Sequence, residues 1–596
     1  MATSNPQQEY EHRRDERLST LAAANERHRL ISRIRLGTTV VGLAMAYAAL
    51  DRGLLSSTWL WAPAIAFVAL VVWHESVKKQ QDRARRAAAL YESGLARLAG
   101  KWRGQGAQGD DFVPDGHLYA ADLDLFGEGS LFQLLTRART RHGERRLAGW
   151  LVSPSVHEEI LARQEAVEEL RPRLDLREDL ALAGEELRKA VDADRLAAWG
   201  KAAPALQSAG LPIGAAIAST LTIVTFLLYG TGRTTGLPLL LAVFAQAGFF
   251  YFVRGTVAEA LRGVDRAASD LSLLTELALR LEREPMGSKR GAELQLALRT
   301  GGTPASAAIH GLRRRLEIHD SGRNLLFMPI AIVLLWPVHG AFWIDRWRQQ
   351  FGPAVAEWLD AAGEIEALSS LASHAYEHPE DAFAEIDTSE ACFDAEALGH
   401  PLLPVADCVR NDITFGGETP AVIISGSNMS GKTTMLRAVG TNAVLALAGA
   451  TVRARRLRLS PLCIGASIRT QDSLLDGRSR FQAEIDRMRD IMTTAQSAPP
   501  LLFLLDEVLA GTNSHDRRIG AAAIVKGLLE HGALGLVTTH DLALAEIDTG
   551  DAGKIRNVHF EDHLEDGRMT FDYQMRPGVV RRSNAIELMR SVGLPV

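Results

Sequence analysis

The sequence predicts an α/β domain built on a phosphate-binding loop at the C-terminal end, preceded by an all-α region that carries two transmembrane helical hairpins. Three observations predict this. A strand, a glycine-rich loop and a helix follow one another near residue 420, four long apolar runs come in two tightly turned pairs, and elsewhere apolar residues recur at helical spacing. At 596 residues the chain is too long for one domain. Its 66 Lys+Arg against 72 Asp+Glu, net charge of −6 and mean hydropathy of −0.01 exclude a disordered chain and one dominated by membrane helices. They also argue against a surface built throughout for nucleic acid, while leaving room for a local basic stripe. Three cysteines, Cys392, Cys408 and Cys463, form no close pair, so they supply neither a disulfide framework nor a metal-site spacing and suit a reducing compartment.

After a charged tail (1–35), the first hairpin occupies 36–73: an apolar run Leu36 to Leu50, the turn Asp51-Arg52-Gly53, and a second run Leu54 to Trp73. The second run has the roughly 20 residues a bilayer span needs, whereas the first covers only about 22 Å unless Arg33 and Arg35 snorkel. Basic residues crowd both outer flanks (Arg27, Arg29, Arg33, Arg35; Lys78, Lys79, Arg83, Arg85, Arg86), which places both in the cytoplasm. The leader is too long for the n-region of a cleaved signal peptide and reads as a retained anchor. The second hairpin, 211–253, joins Leu211–Tyr229 to Gly236–Val253 through Gly230–Thr235 and closes on Arg254. A third run, Leu325 to Ile344, holds Pro329, Pro337 and His339. Counting it would put everything after it across the membrane from the N-terminus, where a nucleotide-dependent domain finds little ATP, so a buried helix is expected. The resulting topology is that of a multi-pass protein of a bacterial-type inner membrane, with the N-terminus and the C-terminal domain cytoplasmic.

Between the hairpins, 74–210 and 254–390 read as two parts of a helical core. Ser155 and Glu158 make a capping box ahead of Val156, Ile160, Gln164, Val167 and Leu170; Leu271, Leu274, Ala278 and Leu281 form another packing stripe.

In 391–596 the period changes. The apolar strand Ala421-Val-Ile-Ile424 runs into Gly426, Ser427, Asn428, Met429, Ser430, Gly431, Lys432 and Thr433, then, from Thr434, into a helical run through Leu447: the G-x-x-x-x-G-K-[ST] loop in its strand-loop-helix setting. Its glycines let backbone N–H groups wrap phosphates, the helix N-terminus adds partial positive charge, Lys432 reaches β/γ oxygens, and Thr433 offers Mg²⁺ a hydroxyl. The run Leu501–Leu505 is a buried parallel strand ending in Asp506, placed to hold the Mg²⁺, and Glu507, placed to orient or deprotonate an attacking water. A third strand, Leu534–Thr538, ends at Thr539-His540-Asp541, where His540 either senses the γ-phosphate or caps a turn. Asp476–Phe481 is a polar turn feeding a helix from Gln482 to Ala495, and Gly511–Asp516 follows the carboxylates.

With these five elements in this order, the C-terminal third resembles the ATPase domain of the MutS mismatch-repair family, itself of the ABC type. The matching residues are Gly426–Thr433, Gly477–Phe481 (G-R-S-x-F), Asp506-Glu507, Gly511–Asp516 (G-T-x-x-x-D) and Thr539-His540, with Gly399-His400-Pro401 and Asn411 upstream and Gly593-Leu-Pro595 downstream. Leu123–Leu135, Gly149–Pro154 and Arg163–Leu170 look like the start of the family's central helical domain. The resemblance implies an ATPase using ATP and Mg²⁺ and working as a homodimer, with Ser479 reaching the partner's γ-phosphate in trans. It also implies catalytic roles for Glu507, His540 and Asn428, nucleotide contacts along Gly426–Thr434, and Mg²⁺ held by Thr433 and Asp506. The aromatic expected before Asn411 for adenine stacking appears as Cys408. The N-terminal mismatch-reading domain with its Phe-x-Glu wedge, the connector and the clamp insertion are not recognisable, so direct mismatch reading does not carry over, and DNA is a possible partner. Arg137, Arg139, Arg141, Arg145 and Arg146 are a stripe that either holds phosphates or forms a solvated face. An ABC-type transporter, or a membrane-complex ATPase without a DNA role, is the alternative. Against a transporter stand the missing L-S-G-G-Q, the short stretch between Lys432 and Ser479, and only four spans.

Overall fold

The computed structural model describes residues 5–190, 192–206, 210–427, 429–468, 480–509, 512–540, 555–565 and 568–580. The chain is mostly helical with mixed sheets, and it divides into two compact units, residues 1–106 with 376–379, and 107–375 with 380–596.

In the first unit a 45-residue helix, Pro6–Leu50, lies against Trp61–Leu98. Asn5 caps the first helix by accepting from the Gln7 N–H, with Pro6 at the position where a missing N–H costs nothing. The charged halves pack tightly. Tyr10 sits 5.6 Å from the rings of both Tyr91 and Tyr376, beside Gly94, where a Cβ would meet the Tyr10 ring at 2.6 Å. The Arg97 guanidinium donates to Glu377, itself buried. The apolar halves instead expose Leu36, Val40, Leu43, Ile65, Val68 and Val72.

Among the described residues three helices are long and apolar enough to cross a membrane: Ser57–Leu98, Gly210–Gly230 and Gly236–Arg283. The run 36–50 is not a fourth. It forms the last third of Pro6–Leu50 and has only 15 residues, and lengthening it to a full span takes in Arg33 and Arg35.

In the second unit the stripe Leu271, Leu274, Ala278 and Leu281 is buried as its spacing predicts. Two expectations are corrected. Ser155 does not cap the helix His157–Leu170; Val156 occupies that position without a side-chain bond, and the Ser155 hydroxyl accepts from Arg163 Nη1 at 2.7 Å. The run 325–344 is not one buried helix. It breaks into Met328–Val333 and Trp336–Phe351 at Leu335, whose φ of 50° is left-handed, and its first part is exposed, Leu326 at 88%.

The helix Ala354–Glu377 runs through the helical core and carries Glu366. Its carboxylate accepts from the Arg139 N–H (3.3 Å), the Thr140 N–H (3.1 Å) and the hydroxyl of Thr140, the residue that caps the helix Arg141–Val152 by accepting from the Gly143 N–H. Gly143 and Gly184 make the room, since a Cβ on either would collide with the carboxylate. Burial pushes the Glu366 carboxyl from 4.5 up to about 7 against the pull of these donors. The folded state therefore holds this proton to higher pH than the unfolded chain does. Glu366 contributes stability fully below about pH 4.5 and loses roughly 3 kcal/mol of it as pH rises through 7. Thermal unfolding followed between pH 5 and 8 is expected to show this slope in the native protein and to lose it in Glu366→Gln; equal slopes in both would mean that Glu366 is ionised throughout.

The C-terminal region is built on a six-stranded sheet in the order Cys463–Ser467, Leu501–Asp506, Leu534–Thr539, Ala421–Ser425, Ile555–Glu565 and Arg568–Pro577. The first five are parallel and the last antiparallel. Leu501–Leu505 and Ala421–Ser425 are buried on both faces, as continuous apolar runs in a covered parallel sheet must be. The segment around Leu118–Asp124 docks on this sheet: Ala466 N–H donates to Leu118 O (2.9 Å), and Ile468 N–H to Asp122 Oδ1 (2.8 Å). Leu123 and Leu504 close over Gly440, where any Cβ would lie within 2.6 Å of both.

Candidate functional site

Three strand ends converge at the carboxyl end of the parallel sheet. The loop after Ala421–Ser425 turns on Gly426 (φ 150°), Met429 (φ 69°) and Gly431 (φ 108°) before the helix Lys432–Ala448. Lys432 is buried, and its ammonium donates to Gly426 O and Ser427 O at 2.8 Å each, closing the loop on itself. Burial lowers the Lys432 pKa, and Glu507 and Asp506 partly restore it. Thr433 Oγ1 donates to Asp506 Oδ2 at 2.8 Å, and the Thr538 hydroxyl donates to Asp506 Oδ1. Two adjacent parallel strands and the loop helix thus hold one carboxylate.

Glu507 adopts φ 48° and Leu509 φ 57°, left-handed conformations that side-chain-bearing residues take at a cost of about 1–3 kcal/mol each. The bend swings Glu507 out of the strand line, and its carboxylate lies 3.4 Å from His540 Nδ1. The same loop is tied to the next element, because the Leu509 N–H donates to Glu484 of the helix Arg480–Thr494, and Arg517 donates to Leu509 O at 3.2 Å. Asn513 caps Ser514–Glu530 through the Asp516 N–H, which gives Asn513 and Asp516 a structural role.

Above the loop lies a cavity of about 720 Å³, lined by Lys432, Thr433, Thr434, Glu507, His400 and Tyr573 among others. Burial and Arg437 depress His400 to about 4, so it is neutral and accepts from the Leu402 N–H through Nδ1. Both side-chain amide atoms of Asn411 are engaged with the edge strand, Nδ2 donating to Tyr573 O (3.0 Å) and Oδ1 accepting from Met575 N–H (2.7 Å). Asn411 thereby positions Tyr573, an aromatic ring on the cavity wall that the sequence motifs do not single out. The residues fit a nucleotide triphosphate with Mg²⁺. The cavity has the volume, Thr433 and Asp506 form a hydroxyl–carboxylate pair, and Ser427 Oγ and Ser430 Oγ are buried without a hydrogen-bond partner inside the phosphate loop.

The structure therefore brings together Gly426, Ser427, Met429, Ser430, Gly431, Lys432, Thr433, Thr434, Asp506, Glu507 and His540. Asn428, Ser479 with most of its turn, Gly511 and Gly593–Pro595 lie outside the described residues. Four arginines of the stripe have partners within the chain, although the Arg141 and Arg145 side chains are half or more exposed. Arg137 donates to Leu134 O and Thr136 O, while Arg141, Arg145 and Arg146 face Asp111, Asp194 and Glu364 at 3.5–3.8 Å.

The family model for MutS domain V matches residues 422–596, and that for MutS domain III matches 118–295. Similar proteins include an "Endonuclease MutS2" of Thermus thermophilus, 35% identical over 33% of this chain and 26% of its own length. A "DNA mismatch repair protein MutS" of Haloquadratum walsbyi is 35% identical over 40% of this chain and 26% of its own. The protein of the same name from Streptococcus equi subsp. equi is 30% identical over 49% and 33%. The chain thus spans a quarter to a third of the length of these curated relatives.

Proposed function

Because this chain belongs to the MutS family, carrying its domains III and V in that order, we propose that it is a membrane-anchored ATPase that hydrolyses ATP as a homodimer and uses the cycle to move its helical core on DNA. The observation that carries the ATPase reading is the meeting of Lys432, Thr433, Asp506, Glu507 and His540 at one end of a parallel sheet. The DNA arm rests on what the relatives are named for, and the membrane arm on the apolar helices and the basic residues that flank them.

The chemistry follows from the side chains. Lys432 exchanges two loop carbonyls for β/γ oxygens, and the loop N–H groups cradle the remainder. Thr433 and Asp506 would hold a Mg²⁺ ion, which when bound would supply charge compensation. Thr538 keeps the Asp506 carboxylate turned toward that position. Glu507 orients the attacking water and accepts its proton, with His540 beside it. Ser479 and Asn428 complete the site, Ser479 from the partner subunit. The helix Lys432–Ala448 transmits the state of the site to the helical core through Arg437, which pairs with Asp124 at 2.9 Å.

Tyr573 supplies the stacking face for adenine. Its replacement by Ala should weaken ATP binding by about 1–3 kcal/mol, the usual worth of a base stacked on an aromatic ring, without lowering turnover at saturation. Isothermal titration and a kcat measurement read the two effects separately, and an unchanged Kd would remove Tyr573 from the site.

The test of the whole reading is DNA binding by detergent-purified protein as a function of salt, with and without ATP, on duplex, branched and mismatched DNA. ATP-sensitive binding that weakens with salt is expected. Its absence on all three would leave an anchored ATPase acting on another membrane partner, a second reading favoured by the internal pairing of the arginine stripe.

A further inference from the structure

The broken run at 325–344 lies against the second hairpin. Gln246, ten residues into Gly236–Ala260 and hence about 15 Å along it, is 7% exposed and donates to Ile332 O (3.0 Å) and Val333 O (2.9 Å). It satisfies the last carbonyls of Met328–Val333, where Leu335 turns the chain left-handed. Irregular backbone at bilayer depth persists only where protein buries it or where it lines a cavity. Here it does line one. A cavity of about 500 Å³ is walled by Thr222, Val243, Gln246, Phe250, Ala331 and Trp336. Its lining is mainly apolar, and Leu241, Phe244, Leu325, Leu326 and Ile330, close in sequence to lining residues Val243, Arg323 and Ala331, are exposed. Among the described residues its lining includes His319 and the guanidinium of Arg323, 73% exposed and next to Asp320 at 3.5 Å; Arg313, Arg314 and Arg315 precede it on Ala305–Ser321.

We propose that this cavity binds one acyl chain of an anionic phospholipid from the cytoplasmic leaflet, with the phosphate held at Arg323. The proposal rests on the membrane reading of the second hairpin. An occupant with a long apolar tail and a negative head matches a mainly apolar pocket whose lining includes a guanidinium.

The test uses the full chain, first scored for resistance to carbonate extraction from membranes, then purified in mild detergent and exposed to phosphatidylglycerol or phosphatidylcholine, with retained lipid read by native mass spectrometry. The native protein should retain phosphatidylglycerol about fivefold more than phosphatidylcholine, the factor expected from one surface arginine. Ala331→Phe, which fills the cavity, should retain neither. Arg323→Ala, at an exposed position that leaves the fold alone, should retain both equally. A carbonate-resistant protein that retains no lipid, or an Arg323→Ala protein with the native preference, overturns the lipid site while leaving the membrane reading intact. Release by carbonate overturns both.

Discussion

Replacing Glu507 by Gln is expected to lower steady-state ATP turnover about 10²- to 10⁴-fold, the range for removal of a general base, while nucleotide binding persists. The geometry separates the two effects. In the proposed site phosphate and metal would be held by Lys432, Thr433 and Asp506, whose hydrogen bonds run to Gly426, Ser427, Thr538 and one another and not to Glu507. Glu507 is turned out of the strand line by its left-handed backbone and pairs with His540, and it acts on Lys432 through charge rather than a hydrogen bond. Glutamine keeps the size and the backbone contact, in which the residue-507 N–H donates to Thr538 O at 3.3 Å, but it cannot take a proton. The variant should therefore accumulate ATP-bound protein, read by nucleotide retention after gel filtration alongside single-turnover hydrolysis. Native turnover in Glu507→Gln would mean that another group activates the water. Lost nucleotide binding would make the carboxylate a binding element instead.

What the residues disclosed in advance, and what they did not, has a physical reason. The phosphate loop, Asp506-Glu507 and His540 were legible because strand-loop-helix geometry fixes which residue types stand at each offset, so local sequence carries the chemistry. Tyr573 was not, because it reaches the cavity from an edge strand placed by pairing with Ile555–Glu565 and by Asn411, 162 positions away. The break at Leu335 escaped for a similar reason. Composition alone reads 325–344 as one apolar stretch, and the amide that stabilises the interruption, Gln246, lies 87 positions before Val333, whose carbonyl it satisfies. The Ser155 cap failed because a buried arginine, Arg163, competes for the same hydroxyl. Local patterns thus sufficed where chemistry dictates spacing and failed where a distant polar group decides between two conformations.

That lesson sets the second large effect, at the base of the second hairpin. Asp345, in Trp336–Phe351, is fully buried; it accepts from the Leu206 N–H at 2.9 Å and from Arg348, itself 6% exposed. Arg348 also donates to Ala203 O at 3.3 Å and lies 5.9 Å from the Trp199 ring. One carboxylate therefore pins the segment leading into Gly210–Gly230 onto the helix that follows the broken run. Asp345→Ala leaves a guanidinium and a backbone N–H buried without their acceptor, and it should destabilise the protein by about 3–5 kcal/mol, the cost of breaking rather than replacing a buried pair. Asp345→Leu combined with Arg348→Met removes both charges and should recover most of that loss, since well-packed apolar groups often match a buried ion pair. Thermal unfolding of the three proteins in one detergent decides the point. If the double variant is as unstable as the single one, the Leu206 N–H bond rather than the uncompensated charge dominates; if Asp345→Ala unfolds like the native protein, the pair does not hold the hairpin base.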